Sequence, residues 1–157
     1  MSKILIKMSN RHLSRALTLQ SLFMWDFNEE DASYLDFYID YNLQKFGLKN
    51  CDREFIDYLT KSVVGNRVSL DEMINRYTKE WPVDRLTLVD RNILRMAIFE
   101  MFNSAEVPTK VALNEGVELA KEYGGSSSQK FVSGVLGTLY EEHFKNKASS
   151  DPLDNTQ

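Results

Sequence analysis

The sequence predicts an all-α fold, a bundle of about seven helices arranged in two halves. Apolar residues recur at three- and four-residue spacing along most of the chain, which places them on one side of a helix. Glycine, proline and capping residues divide this pattern into helix-length segments. No stretch of four to eight residues alternates like a strand beside a hairpin signal. A chain of 157 residues is long enough to form one domain with its own core.

The first three helices are defined by their apolar stripes and their ends. The first is predicted over about 9–27, where leucines and aromatic residues form an inward stripe beside a polar side. The second, about 32–46, is rich in aromatic residues and is expected to end at Gly47. Asp52 is a suitable cap for a third helix that ends near Gly65.

A capping box predicts the start of the fourth helix. Ser69 supplies the cap and Glu72 follows three residues later. This helix is expected to end near residue 80, because the residue before Pro82 avoids the helical region. The chain is therefore expected to divide into its two halves near residues 81–84.

The fifth helix, about 86–103, is expected to be the central one. It is apolar over more than half of its circumference, which is typical of a buried helix. Arg91, Arg95 and Phe99 are expected on its remaining flank.

The sixth and seventh helices are predicted to meet at a tight elbow. Pro108 begins the sixth helix, and Gly124 and Gly125 end it, because glycine adopts the left-handed conformation that closes a helix. The seventh begins at once and runs to about residue 147. A glycine inside a helix usually marks a close approach of backbones, which we expect at three positions: Gly116, Gly134 and Gly137.

Positive charge is concentrated at the start of the chain. The formal net charge is −4, yet residues 1–25 contain four basic residues and no acid. Lys7, Arg11 and Arg15 are spaced by four, which predicts a short basic ridge on one side of the first helix. A ridge of this kind fits a ligand-binding surface and an ordinary solvated helix face about equally well.

Catalytic, metal and membrane functions are not expected. His12, Cys51 and His143 are far apart in the sequence, and no phosphate loop, dinucleotide fingerprint or zinc-protease motif is present. No apolar run approaches the roughly 20 residues needed to cross a bilayer. We therefore expect a cytoplasmic protein without a cofactor. The polar segment 148–157 buries too little apolar surface to offset the entropy of ordering and is expected to be a disordered tail.

Three segments of the chain, in order, resemble a bacterial family of transcription antitermination factors, the NusB family. They are RHLSRALTLQSLFMWDF, LVDRNILRMAIFEM, and VPTKVALNEGVELAKEYGG followed by SQKFVSGVL. The resemblance covers residues 9–140. It implies a single NusB-like helical domain over 1–147, with an N-terminal half of about 9–80 and a C-terminal half of about 84–147.

The family resemblance implies a non-catalytic, RNA-binding function. The RNA would be the boxA element of ribosomal RNA leader transcripts. The protein partner would be NusE, a small-subunit ribosomal protein that forms a heterodimer with the factor in the RNA polymerase antitermination complex. The alternative is a helical protein-interaction module that does not bind RNA. The sequence leaves open whether the free protein is a monomer or a homodimer.

The same resemblance implies which residues contact these partners. The RNA surface would combine the basic start of the chain with the elbow and the opening of the last helix: Lys3, Lys7, Arg11, His12, Arg15, Ser127, Gln129, Lys130 and Phe131. For Phe131 a position in the core is an equal alternative. The NusE surface would use two aromatic and two acidic residues: Phe23, Phe27, Asp84 and Asp90. An acidic patch suits a basic ribosomal protein.

Overall fold

A computed structural model of the chain describes residues 3–46 and 51–145, with the backbone alone described for residues 3–10. These ranges contain six α-helices and no strand, so the predicted all-α class is confirmed: α1 (Lys3–Phe27), α2 (Leu35–Lys45), α3 (Arg53–Gly65), α4 (Arg67–Tyr77), α5 (Leu88–Asn103) and α6 (Thr109–Tyr140). Short 3₁₀ turns precede α2 and α5, at Ala32–Tyr34 and Val83–Arg85, and a π-helical turn, Glu141–Lys145, follows α6. No helix in the described ranges carries an apolar segment long enough to cross a membrane.

Helix α5 lies at the centre of the fold, as its apolar circumference predicts. Every residue from Asn92 to Met101 is buried, because α1, α3, α4 and α6 all pack against this helix. The remaining flank of α5 is itself covered by other helices. Arg95 and Phe99 are 2% and 6% exposed, and only Arg91 is half-buried. A helix covered on every side has no solvated flank, so its charged side chains need partners in the interior.

Helix α6 consists of two helical segments joined at Gly125. This glycine has φ 84° and ψ −168°, a conformation that is essentially restricted to glycine. The predicted separation of a sixth and a seventh helix at the glycine pair is therefore confirmed. The second segment resumes immediately after the kink. It ends as a regular helix at Tyr140, and the predicted end at residue 147 lies outside the described residues.

One of the three helix-interior glycines marks a close approach. A Cβ atom at Gly116 would lie 3.0 Å from Ala97 Cβ and 3.0 Å from Leu136 Cδ1, so glycine lets α5 and the second segment of α6 approach the first segment. The same expectation was wrong for Gly134 and Gly137. Apart from the neighbouring backbone of the same helix, no described atom lies within 4 Å of a Cβ built at either position.

The helix ends agree with the sequence at some positions and not at others. Asp52 caps α3 by accepting a hydrogen bond from the Phe55 N–H at 3.1 Å, as predicted. The predicted capping box at Ser69 was wrong, because α4 begins at Arg67, directly after Asn66, and Ser69 lies inside the helix. The Ser69 hydroxyl instead donates to the Asn66 carbonyl at 3.0 Å. The predicted stop at Gly47 and the predicted tail 148–157 lie outside the described residues.

A buried ionic network connects α1 and α4 to α5. Arg95 donates to both carboxylate oxygens of Asp71, at 2.7 and 2.9 Å, and to Asp26 at 3.1 Å. Asp26 also accepts from Arg91 Nε at 2.6 Å and from the Asn92 amide at 2.8 Å. Burial alone would raise the pKa of Asp26, but the hydrogen bonds from Arg91 and Asn92 and the nearby positive charges hold that pKa below its ordinary value. The folded state thus favours the ionised form of Asp26.

Candidate nucleic-acid interface

Arg11 lies where α1 packs against the start of α3. Its guanidinium carbon is 4.0 Å from the centroid of the Phe55 ring, and its Nη1 is 3.6 Å from Asp52 Oδ2. Nη1 itself is buried and makes no hydrogen bond within the described residues, while the side chain as a whole is 27% exposed. The cation–π contact holds the guanidinium in place. An anionic ligand would therefore reach Arg11 through the exposed part of its side chain and not through Nη1.

Arg15 has a different environment from Arg11. It is 5% exposed, and its Nε and Nη2 donate to the two carboxylate oxygens of Glu100 on α5, at 2.8 and 2.9 Å. The prediction of one exposed ridge through Arg11 and Arg15 was therefore wrong. Four residues turn a helix by about 40° more than a full turn, which is enough to move Arg15 from the surface to the seam with α5. The side chains of Lys3 and Lys7 lie outside the described residues.

His12 connects α1 to the first segment of α6. Its Nδ1 is 2.9 Å from Glu115 Oε2, and its Nε2 is 2.8 Å from Glu122 Oε1. Because ionised carboxylates only accept hydrogen bonds, both contacts form only when both ring nitrogens carry protons. Burial lowers the pKa of His12, but the hydrogen bonds and charges of the two glutamates outweigh it and raise the pKa above its ordinary value of 6.5. The protonated form of His12 is thus favoured by its two glutamate partners.

The bridge made by His12 should make stability depend on pH. Since the pKa is raised in the folded protein, the contribution of His12 is fully present below the unfolded pKa of about 6.5 and is lost as pH rises through the folded pKa. We expect His12→Gln to lower the free energy of unfolding most at acidic pH and least at alkaline pH. Urea unfolding of both proteins from about pH 5 to about pH 9 measures this difference. A difference that does not change with pH would contradict the protonated bridge.

The elbow residues lie close to the basic part of α1. Glu122, two residues before the elbow begins, contacts His12, and the Gln20 amide donates to the Tyr123 hydroxyl at 3.2 Å. Most of the side chains predicted to contact RNA are accessible here: Ser127 and Lys130 are exposed, and Gln129 is half-buried. Phe131 is half-buried and packs against the core, and its contact with RNA stays a prediction. The fold therefore brings together two segments that are about 100 residues apart in the chain.

Three of the four residues predicted to bind NusE lie at the surface. Phe23 and Phe27 are 38% and 69% exposed, and their rings stack with centroids 6.2 Å apart. Asp84 is exposed on the 3₁₀ turn that precedes α5. Asp90 was expected to present its charge to a partner, but it is 8% exposed. Its position in the first turn of α5 turns the carboxylate toward the elbow, with Oδ1 3.6 Å from where a Cβ of Gly124 would lie.

The acidic partners of Arg15 and His12 were not identified from the sequence. Glu100 holds Arg15, and Glu115 and Glu122 hold His12. The seven-residue spacing of Glu115 and Glu122 does place two acids on one side of a helix, which was a usable signal. Among the residues that the structure describes, no group of three histidine, cysteine or acidic side chains is arranged to hold a metal ion.

Comparisons with known proteins agree with one another. The model of the NusB family matches residues 12–141. The transcription antitermination protein NusB of Heliobacterium modesticaldum is 40% identical over 133 residues, which cover 85% of this chain and 63% of that protein. The NusB of Dehalococcoides mccartyi strain CBDB1 is 42% identical over 135 residues, covering 83% of this chain and 90% of that protein.

Solved structures give the same result at the level of the fold. The T. maritima NusB structure superposes with a TM-score of 0.75 and 29% identity, covering 87% of this chain and 94% of that chain. A crystal structure of the antitermination factors NusB and NusE in complex with dsRNA superposes with a TM-score of 0.74 and 27% identity, covering 87% of this chain and 99% of that chain.

Proposed function

This chain belongs to the NusB family, and from that premise we propose that it is a non-catalytic transcription antitermination factor that binds RNA together with NusE. Its relatives carry the name transcription antitermination protein, and one structural neighbour is a complex of NusB and NusE with RNA. The RNA that we propose is the boxA element of ribosomal RNA leader transcripts, bound in the cytoplasm within the RNA polymerase antitermination complex. The observation that carries the proposal is the contact of His12, which follows Arg11 on α1, with Glu122, two residues before the elbow.

The RNA surface that we propose combines side-chain charge with backbone donors. Arg11 and Lys130 would contact phosphates, with the protonated His12 between the two segments, and Lys3 and Lys7 would extend this charge upstream. The helical segment after Gly125 begins with three neutral serines, so no side chain of its own first turn competes with a phosphate for its N–H groups; the Asp90 carboxylate of α5 lies near Gly124. The exposed part of Phe131 would stack with a base.

The salt dependence of RNA binding tests this surface. If Arg11 and Lys130 each neutralise one phosphate of a single strand, Arg11→Gln with Lys130→Gln should reduce the slope of log affinity against log salt by about 1.4, twice the roughly 0.7 expected for each contact. Fluorescence anisotropy with a boxA-containing RNA and saturating NusE measures the slope. Arg15 is left unchanged, because its removal would leave the buried Glu100 carboxylate without its partner.

A matched variant controls for net charge. Lys61→Gln with Lys145→Gln removes the same charge from two exposed ion pairs, Lys61 with Asp36 and Lys145 with Glu141. This control should keep the parental slope. The proposed surface is rejected if both double variants change the slope equally, and RNA binding itself is rejected if the parent shows no saturable affinity for the boxA RNA at low salt.

A further inference from the structure

A groove of about 860 Å³ opens beside Arg11, between α1, the start of α3 and the start of α6. Its apolar surface comes from Phe55 and Tyr58 on α3 and from Val107 and Val111 around the start of α6. Phe23 and Phe27 are 12 or more residues further along α1, a distance of about 18 Å or more along the helix axis. The groove is therefore separate from the aromatic pair in the proposed NusE surface.

Arg11 lies at the boundary of the groove and the proposed RNA surface, but the groove has more acidic than basic groups. Four carboxylates line it, those of Asp52, Glu54, Glu106 and Glu115, against two guanidinium groups. Several of these charges are already paired: Arg15 with the buried Glu100, Arg11 with Asp52, and Glu115 with His12. Glu54 on α3 and Glu106 just before α6 are exposed, and neither forms an ion pair with another described residue. The rim is thus acidic, which disfavours a phosphate backbone and favours a cationic group.

The aromatic part of the groove is exposed but held in place. Tyr58 is 52% exposed, and its ring meets the buried Phe99 at an angle of 62° with centroids 6.0 Å apart. Phe55 is fixed by the guanidinium of Arg11 against its face. Val111 adds an aliphatic side chain that is 41% exposed. A fixed aromatic ring beside exposed aliphatic surface can receive an apolar side chain at a low cost in conformational entropy.

We propose that this groove binds a polypeptide segment of a protein partner, in which a lysine or arginine lies next to an apolar side chain. The basic group would lie between Glu54 and Glu106, and the apolar side chain would pack on Tyr58. The acidic rim favours a basic polypeptide over a strand of RNA inside the groove, because each phosphate would lie beside the carboxylates at its entrance. The proposal does not depend on RNA binding at the elbow.

A labelled amphipathic peptide of lysine and leucine, spaced for a helix, is the probe. Tyr58→Ala should weaken its binding by about tenfold at every salt concentration, because an apolar contact is lost. Tyr58→Phe should retain the affinity, since the ring remains.

Glu54→Gln with Glu106→Gln should weaken binding at low salt, and the difference from the parent should shrink at high salt, because exposed charges are screened. Anisotropy titrations measure all three, and circular dichroism checks each fold.

The controls separate this groove from general attraction to an acidic protein. Glu80→Gln with Glu118→Gln removes two exposed carboxylates elsewhere and should not change peptide affinity. Amide chemical shifts of the parent should move at the groove when the peptide is added. The proposal is overturned if peptide affinity falls equally in the groove variant (Glu54→Gln with Glu106→Gln) and in the control variant, or if Tyr58→Ala binds the peptide as tightly as the parent. If Tyr58→Ala weakens binding of a boxA RNA but not of the peptide, the groove is a base-binding slot and the proposal also fails. Should Tyr58→Ala not fold, the two glutamate variants decide alone.

Discussion

Replacing Arg95 with methionine is expected to lower the free energy of unfolding by about 3 kcal/mol, because two buried carboxylates lose their most buried charge partner and keep only Arg91 and the partly exposed Arg67. Asp26 and Asp71 are 6% and 7% exposed, and Arg95 donates hydrogen bonds to both. Methionine fills a similar volume, so the loss comes from the missing ion pairs and hydrogen bonds and not from a cavity. Urea unfolding at neutral pH measures the change.

A second substitution identifies the cause of this loss. Arg95→Met with Asp71→Asn removes one of the two carboxylates and should recover part of the lost stability. The exposed pair of Lys61 and Asp36 provides the control, since Lys61→Met should cost less than about 1 kcal/mol. If Arg95→Met is no more harmful than Lys61→Met, the network does not hold α1 and α4 against α5.

Replacing Phe27 with alanine is expected to weaken NusE binding by about 2 kcal/mol or more, which is roughly thirtyfold. Phe27 is 69% exposed and stacks on Phe23, so the pair presents apolar surface to a partner. Because the side chain is mostly solvated in the free protein, its removal should change the free energy of unfolding little. Isothermal titration calorimetry with purified NusE measures the affinity.

Helix α2 supplies a matched control for Phe27. Phe37 is 61% exposed and stacks on Tyr41, so Phe37→Ala removes a similar aromatic contact from a different surface. It should leave NusE affinity unchanged. A loss in Phe37→Ala without a loss in Phe27→Ala would move the interface to α2, whereas a parent protein that does not bind NusE would contradict the proposed partner itself.

Much of the candidate site could be predicted from the sequence, because each of its two segments is defined by a pattern within a few residues. The elbow followed from Gly124 and Gly125, and Gly125 adopts a backbone conformation that other residues avoid. The pattern also indicated that α1 would present basic residues beside its core-facing side. It could not distinguish Arg11 from Arg15, since both have the same chemistry and the same spacing. Their difference depends on Glu100, which is 85 residues away from Arg15.

The sequence by itself determined the all-α class, the buried character of α5, the cap at Asp52 and the break in α6. Each depends on interactions within a few residues: the side of a helix on which apolar residues fall, a side chain that meets its own helix end, or a backbone angle. Tertiary structure alone decided that Arg15, Arg95 and Asp90 are buried, that Gly116 is crowded while Gly134 and Gly137 are open, and that His12 has two glutamates as partners. The reason is that helical spacing specifies a direction around one helix. It does not specify which residues of another helix will lie in that direction, and packing between distant segments supplies that information.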